Sequence, residues 1–194
     1  FSKYQGLGND FIIFDARANN LDNLFSEKNE NFIEELCNRN FGIGADGIIL
    51  ILKSNNKSMV RMRIFNSDGS EPEMCGNGIR CLIAFLNDNN EINQRDDIPI
   101  QTKAGQIFTS INGNEKIKVN MGEPILNPKY IPTTLLENNF SVPNGLIKIN
   151  DQKLNVYAAS MGNPHMIVFV NKIENIPFEE WGRSLEKHYT FPND

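Results

Sequence analysis

A strand-like segment, a polar loop with several glycines and an apolar segment follow one another over residues 60–86, and this stretch constrains the fold more than any other. In Val60–Phe65, apolar side chains alternate with basic ones, a period of two that is typical of a half-buried β-strand. Ile79–Leu86 is an apolar run with helical character. The sequence therefore predicts a strand, a polar loop and a helix that begins next to Cys75.

A cysteine at the start of a helix has a specific chemical use. The first turn of a helix presents unpaired backbone N–H groups and a partial positive charge, which favour a thiolate and can also hold a carboxylate or a phosphate. Gly76 and Gly78 follow Cys75 closely and are expected to let such a ligand approach the backbone. The local sequence fits an inert core cysteine equally well, because free cysteines are usually buried.

The rest of the chain contains mostly short strands. Strands are predicted at Phe1–Tyr4, Phe11–Asp15, Ile48–Leu52, Ile98–Thr102, Gly105–Ile111, Glu115–Met121, Leu146–Asn150, Lys153–Ala159 and Met166–Val170. A helix is predicted at Ser26–Asn38, with Ser26 as its N-cap and Glu27 in its first turn. The apolar faces of this helix and of the helix after Cys75 predict that Cys37 and Cys81 are core residues.

Several local features complete the prediction. Asn112-Gly113 predicts a tight hairpin turn, and Glu73 is interpreted as an early-turn charge of the helix after Cys75. Four prolines within residues 122–145 predict an inter-domain connection there. A final amphipathic helix is predicted from Phe178, Trp181, Leu185 and His188, with His188 exposed on it.

Composition excludes several classes of function. With a net charge of −5 and no basic cluster, the chain does not resemble a nucleic-acid-binding protein. No apolar run approaches the length of a membrane span, and the first residues do not resemble a secretion signal. Three cysteines without metal-ligand spacing predict reduced thiols in a cytoplasmic protein, and no metal site.

Four stretches, in order along the chain, resemble the motifs of the diaminopimelate epimerase family. They are Gly6–Phe11, Arg39–Gly47, Asn66–Cys81 and Ser160–His165. The third resembles the family's first catalytic loop, with Met74-Cys75-Gly76-Asn77-Gly78 at its centre. Because the four motifs keep their order over nearly the whole chain, the resemblance is far more specific than a single Cys-Gly-Asn-Gly loop.

The resemblance implies an α+β fold with two structurally similar domains, each a curved, mostly antiparallel sheet or barrel around a central helix. Domain one is expected at residues 1–121, with the first catalytic cysteine. Residues 122–194 are expected to hold the linker and the first part of domain two, because the chain ends before the family's second catalytic loop. A protein of these residues alone is expected to show no turnover and to aggregate.

The activity that the resemblance implies is the conversion of L,L-diaminopimelate to meso-diaminopimelate, in lysine and peptidoglycan precursor biosynthesis. Two cysteines act as acid and base, and no cofactor is needed, neither pyridoxal phosphate nor metal. The implied partner is this small amino-acid substrate, with no nucleic acid and no membrane. The sequence leaves the oligomeric state open, with a homodimer among the alternatives.

The family motifs also assign roles to residues of this chain. Cys75 matches the first acid/base cysteine, and the N–H groups of Gly76 and Asn77 match donors to the reacting carboxylate. His165 matches a histidine beside the catalytic cysteines, although a packed histidine at a strand start fits its local sequence equally. Three amides match binding positions for the distal end of the substrate: Asn9, Asn66 and Asn163.

Two alternatives remain at this point. Another cofactor-independent isomerase, of the proline-racemase or phenazine-biosynthesis type, would share the cysteine loop but would have no use for the distal asparagines. A non-catalytic module that binds an amino acid through one half-site would fit the absence of a second catalytic cysteine.

Overall fold

The computed structural model of the protein describes residues 1–19, 21–25, 30–93, 95–114, 116–137, 141–150 and 152–192. It divides into two compact units, residues 1–121 and residues 122–194. Among the described residues, no helix combines the length and the apolar character that a membrane crossing requires.

The first unit contains a seven-stranded sheet in which every strand pairs with the next one along the chain. Two neighbouring pairs, the second with the third and the fourth with the fifth, are parallel, and the other pairs are antiparallel. The strands are β1 (Ser2–Gly6), β2 (Asn9–Asp15), β3 (Gly47–Leu52), β4 (Val60–Asn66), β5 (Ile98–Thr102), β6 (Gly105–Ile111) and β7 (Ile117–Val119).

Two α-helices connect the parallel pairs, since parallel neighbours require a crossover between them. Helix α1 (Glu30–Cys37) lies between β2 and β3, and helix α2 (Gly76–Asp88) lies between β4 and β5. A short 3-10 helix, Asp22–Phe25, precedes α1. Helix α2 packs against both β1 and β7, the two edge strands, so the sheet curls around α2. This confirms the curved sheet around a central helix that was expected for the first domain.

The central strands are buried on both faces, which explains their continuous apolar sequence. Four side chains of β2 and β3 belong to the core cluster on the α2 side: Phe11, Ile13, Ile49 and Ile51. Three others belong to the cluster on the α1 side: Ile12, Ile48 and Leu50. The predictions for the structural cysteines are confirmed, because Cys81 lies in the first cluster and Cys37 in the second.

Helix α2 is positioned by one apolar face, and its C-terminal end is well defined. Ile79, Leu82, Ile83 and Leu86 have the spacing of a single helical face and are fully buried. Burial of each such side chain contributes on the order of 2 kcal/mol. The helix ends at Asp88, and Asn89 donates from its backbone N–H and its side-chain amide to the carbonyl of Phe85. This end lies in a run of residues with low helix propensity, Asn87-Asp88-Asn89-Asn90.

The described residues of the second unit form a four-stranded antiparallel sheet and the α-helix that packs on it. Its strand order is β11-β10-β9-β8, with β8 (Leu136–Glu137), β9 (Pro143–Ile149), β10 (Gln152–Ser160) and β11 (Pro164–Val168). Helix α3 (Phe178–Glu186) follows the 3-10 helix Ile173–Asn175 and lies on β9. Trp181 and Leu185 of α3 pack on the core cluster of this unit.

Three predictions for the second unit were wrong. Residues 122–145 are not only a connection, because Ile131 and Leu135 lie in the core and Pro143 begins β9. Strand β11 lies at Pro164–Val168 rather than at 166–170. His188 lies beyond the end of α3 and is half-buried, with its Nδ1 2.6 Å from the Thr190 hydroxyl.

The first unit also corrects local predictions. Helix α1 is described from Glu30 to Cys37, within the predicted range, and the predicted cap Ser26 and first-turn Glu27 lie outside the described residues. The connection between β6 and β7 spans residues 112–116, because Ile111 pairs with Ile117. The Asn112 N–H donates to the Lys116 carbonyl at 3.1 Å, and the Asn112 side chain accepts from the N–H groups of Asn114 and Lys116. The predicted two-residue turn at Asn112-Gly113 is therefore wrong.

Candidate active site

Cys75 is the N-cap residue of α2. Its backbone is extended, with φ −141° and ψ 118°, and its Sγ accepts a hydrogen bond from the N–H of Gly78 at 3.4 Å. The side chain is half-buried. A thiol here takes the place that a serine, threonine or aspartate oxygen usually takes at a helix start. The sulfur therefore lies where the backbone N–H groups of the first helical turn converge.

The loop before Cys75 is a compact structure held by its own side chains. The carboxylate of Asp68 accepts from the Ser70 N–H at 2.9 Å and from the Ser70 hydroxyl at 2.6 Å, and these bonds lower the pKa of Asp68. Gly69 has a φ of 84°, a conformation that favours glycine. Next to this turn, Arg63 donates two hydrogen bonds to Glu71, at 2.8 and 3.0 Å. These contacts bring the chain from β4 to the start of α2.

Two residues of the loop differ from their interpretation. Gly78 is buried, and a Cβ atom there would come within 2.7 Å of Ile64 Cδ1, so this glycine serves packing and does not open the backbone to a ligand. Glu73 precedes α2 and is not in its first turn, which contains no acidic residue. The Glu73 carbonyl instead accepts from the N–H of Ala104.

Asn9, at the start of β2, meets the first turn of α2. Asn77 donates from Nδ2 to Asn9 Oδ1 at 3.3 Å, across 68 positions of sequence. Asn9 donates in turn from its own Nδ2 to Asp46 Oδ2 at 3.0 Å. The structure therefore brings Asn9 together with Asn77 at the helix start that Cys75 caps.

The other predicted site residues have separate environments. Asn66 ends β4 and donates from Nδ2 to the Ser70 hydroxyl at 2.9 Å. Asn163 and His165 belong to the second unit, where Asn163 directly precedes β11 and His165 is the second residue of that strand. His165 is exposed, with Nδ1 2.9 Å from the Asn163 carbonyl, so the alternative of a packed histidine is wrong.

Sequence reasoning missed a group of charged residues next to Asn9. Arg39 contacts Asp10 at 2.7 Å and Asp46 at 2.8 Å, and Lys3 contacts Asp10 at 3.0 Å. The Arg39 guanidinium, followed by Lys3, holds the pKa of Asp10 well below its usual range. A usable signal existed, because Asp46 is the acidic residue of a glycine-rich loop directly before the buried strand β3.

Sequence comparison identifies the family. A family model described as diaminopimelate epimerase matches residues 1–127. The diaminopimelate epimerase of Prochlorococcus marinus (strain NATL2A) is 79% identical over 194 residues, which covers 100% of this chain and 68% of the relative. The chain belongs to the diaminopimelate epimerase family.

More distant relatives agree with this membership. The diaminopimelate epimerase of Halothermothrix orenii (strain H 168) is 44% identical over 197 residues, which covers 99% of this chain and 67% of the relative. Membership of the diaminopimelate epimerase family makes the protein an isomerase.

Solved structures with a similar fold include a hydroxyproline epimerase and a phenazine biosynthesis protein. A hydroxyproline epimerase of Agrobacterium vitis matches with a TM-score of 0.59 and 11% identity, over 93% of this chain and 52% of its own. A phenazine biosynthesis protein of the PhzF family from Bacillus anthracis matches with a TM-score of 0.56 and 21% identity, over 96% of this chain and 60% of its own. At these identities the likeness shows the fold alone, and it confirms the predicted fold of the diaminopimelate epimerase type.

The three cysteines of this diaminopimelate epimerase family member are free thiols in different environments. Cys37 and Cys81 are only 4% and 2% exposed, and burial raises the pKa of each thiol to about 11. Both therefore stay protonated and shielded near neutral pH, while Cys75 is half-buried at a helix start.

We expect iodoacetamide at pH 8 to alkylate Cys75 in the native protein and to leave Cys37 and Cys81 unmodified, because only thiolates that reagents can reach react quickly. Mass spectrometry of peptides after brief labelling measures this. Labelling in urea serves as the control and should modify all three thiols. Modification of Cys37 before Cys75 in the native state would contradict the assignment.

Proposed function

We propose that this protein inverts one α-carbon of diaminopimelate, with Cys75 as one of the two acid/base groups. The observation that carries the proposal is the position of Cys75 Sγ at the N-terminus of α2, where it accepts from the Gly78 N–H. Membership of the diaminopimelate epimerase family supports this substrate.

The chemistry of Cys75 follows from this position. Inverting a carbon that bears a carboxylate requires a base to remove the α-proton on one face and an acid to deliver a proton to the opposite face. A thiolate at Cys75 takes the α-proton, and the resulting thiol returns it when the reaction runs in reverse. The acid on the opposite face is not assigned among the described residues, and the family resemblance implies a second cysteine for it.

The helix start also stabilises the charge that develops in the substrate. When the α-proton leaves, negative charge moves onto the neighbouring carboxylate. The backbone N–H groups of Gly76 and Asn77 lie in the first turn of α2, where helices leave such donors without an intrahelical partner. Donors placed where charge develops are usually among the largest contributions to catalysis. In this proposal they hold the reacting carboxylate.

The distal end of the substrate is a second amino-acid group, with an ammonium and a carboxylate. Side-chain amides suit such a zwitterion, because each offers both a donor and an acceptor. We assign this role to Asn9, Asn66 and Asn163, and we assign His165 to assisting the thiolate. The free thiols of Cys37, Cys75 and Cys81 support a reducing, cytoplasmic location for the reaction.

The alternatives from sequence reasoning are not favoured. The similarity to the hydroxyproline epimerase and to the PhzF-family protein is at the level of the fold, at 11% and 21% identity. A non-catalytic binding module is not favoured either, because the relatives at 44–79% identity are named as epimerases.

We expect the full-length protein to convert L,L-diaminopimelate to the meso form without added pyridoxal phosphate. In heavy water the product should carry deuterium at the inverted α-carbon, because proton removal and return exchange with solvent. Mass spectrometry and circular dichroism of the substrate measure this, with trans-4-hydroxy-L-proline as the comparison substrate. Turnover of hydroxyproline alone, or a requirement for pyridoxal phosphate, would contradict the proposal.

A further inference from the structure

Two charged side chains outside the proposed set of site residues hold the amides of Asn9 and Asn77. Arg80 donates from Nη2 to Asn77 Oδ1. Asn77 donates to Asn9 at 3.3 Å, and Asn9 donates to Asp46 at 3.0 Å. These four residues form a continuous chain of hydrogen bonds from a cation to an anion, which we call the amide relay.

The chemistry of its two ends determines the direction of the amide relay. A guanidinium has only donors, and a carboxylate has only acceptors. Each amide must therefore turn its oxygen towards Arg80 and its NH2 group towards Asp46. With both amides reversed, oxygen would face the carboxylate and NH2 would face the guanidinium, which are repulsive pairings. An amide without such neighbours could adopt either orientation, because its oxygen and nitrogen have nearly the same shape.

The acidic end of the relay is itself held from several directions. Asp46 Oδ2 accepts from the Asp10 N–H at 3.0 Å as well as from Asn9, and Asp46 Oδ1 accepts from Arg39 at 2.8 Å. The Asp46 N–H donates to the Asp10 carbonyl at 3.0 Å. The carboxylate that orients Asn9 is therefore fixed in place on both oxygens.

The relay joins three separate parts of the first unit. Asn9 begins β2, Asp46 directly precedes β3, and Asn77 and Arg80 lie in the first turns of α2. Each amide uses one N–H and one oxygen lone pair within the relay, so one N–H and one lone pair of each remain for a ligand. The relay thus determines both where these groups lie and which of them is the donor.

We infer that Asp46 and Arg80 are positioning residues, which orient the Asn9 and Asn77 amides for recognition of the substrate. The inference rests on the proposed function for the role of Asn9, and on the hydrogen bonds alone for the orientation. Neither charged group has to touch the substrate. The amide relay also links the Asn9 amide to the first turn of α2. It therefore sets the distance between Asn9, which is assigned to the distal end of the substrate, and the helix N–H groups, which are assigned to its reacting carboxylate.

The orientation can be tested without substrate, by NMR of the side-chain NH2 groups in the full-length protein. Asp46→Asn should shift the Asn77 NH2 signals, although Asp46 bonds to Asn9 and not to Asn77 in the relay. Arg80→Met should likewise shift the Asn9 NH2 signals from the other end, which keeps the test valid if one variant folds poorly. Unchanged signals at the far amide in either folded variant would overturn the relay.

The kinetic test uses Asp10→Asn as a matched control, because the Asp10 carboxylate binds the same Arg39 and accepts from the Asp46 N–H at 3.2 Å but forms no side-chain hydrogen bond with the Asn9 amide. Asp46→Asn should raise KM for L,L-diaminopimelate roughly 10- to 100-fold, as expected for losing a hydrogen bond to a charged group, with a much smaller change in kcat. Asp10→Asn should change KM less than about threefold. Both variants, Asp10→Asn and Asp46→Asn, should lower the midpoint of thermal unfolding.

The double variant Asp46→Asn with Arg80→Met gives the sharpest result. Releasing either end of the amide relay removes the constraint on both amides, so the second substitution should raise KM little further. If the two contacts were independent, their effects on the free energy of binding would add. Additive effects, or equal KM changes in Asp10→Asn and Asp46→Asn, would overturn the positioning role. A wild-type protein without activity on diaminopimelate would contradict the proposed function instead, and the NMR result would still decide the relay.

Discussion

Cys75→Ala should reduce the epimerisation of diaminopimelate by about 10⁴-fold, the upper range for losing one acid/base group. Alanine has no proton to exchange and cannot take the α-proton on the face that Cys75 serves. The effect should fall on kcat, because the sulfur acts on the reacting carbon and is not assigned to holding the substrate. Stopped assays of the meso product and of deuterium incorporation in heavy water measure the loss.

Cys75→Ser separates the chemistry from the capping role. A serine hydroxyl accepts well from backbone N–H groups at a helix start, so α2 should keep its stability. A hydroxyl is a far weaker acid than a thiol, so the activity should still be lost. An unchanged unfolding midpoint together with lost turnover would support the proposed role, while retained turnover in Cys75→Ser would contradict it.

The other two cysteines supply the control for the thiol itself. Cys37→Ala and Cys81→Ala remove buried sulfur atoms from the two core clusters of the first unit. Each should cost about 1 kcal/mol or a little more in stability, while kcat stays close to that of the parent. A folded Cys37→Ala protein as inactive as Cys75→Ala would show that the site has been assigned to the wrong thiol.

Gly42→Ala should destabilise the first unit by about 3 kcal/mol, because there is no room for a methyl group. A Cβ atom at Gly42 would lie 2.0 Å from the Glu35 carbonyl oxygen and 2.7 Å from that of Leu36. Both oxygens belong to the backbone of α1 and cannot move away as a flexible side chain can. Urea unfolding followed by circular dichroism measures the loss.

Gly113→Ala is the matched control for this substitution. It lies in the same unit, has nothing within 4 Å of the added Cβ and does not have a positive φ. Its stability should stay within about 0.5 kcal/mol of the parent. Equal urea midpoints for the two glycine variants would show that the loop after α1 can move aside. Because that loop carries Arg39 and Asp46, Gly42→Ala should also raise KM in any fraction that remains folded.

Local sequence was sufficient for the elements that local forces determine. The strands Ile98–Thr102 and Gly105–Ile111 have the bounds that their alternation predicts. The position of α2 directly after Cys75 was also predictable, because an apolar helical face follows a polar loop and the first helical residue is marked by glycine. The roles of Cys75 and the asparagines came from the family motifs, because a pattern of hydrophobicity carries no information about such roles.

Local signals failed where burial depends on distant partners. The prolines of residues 122–145 indicate a break in regular structure, yet Ile131 and Leu135 lie in a core because strands later in the chain cover them. The parallel pairing of β2 with β3 likewise depends on the crossover through α1, which the separate strand signals do not contain.

The sequence by itself determined the family, the strand-rich α+β class and the placement of Cys75 at a helix start, because each depends on neighbouring residues. Only the tertiary structure decided which polar groups meet. Asn9 and Asn77 are 68 positions apart, and they touch because the sheet curls around α2. The roles of Asp46 and Arg80 arise from that contact, since hydrogen-bond direction is a property of groups brought together in space and not of their order along the chain.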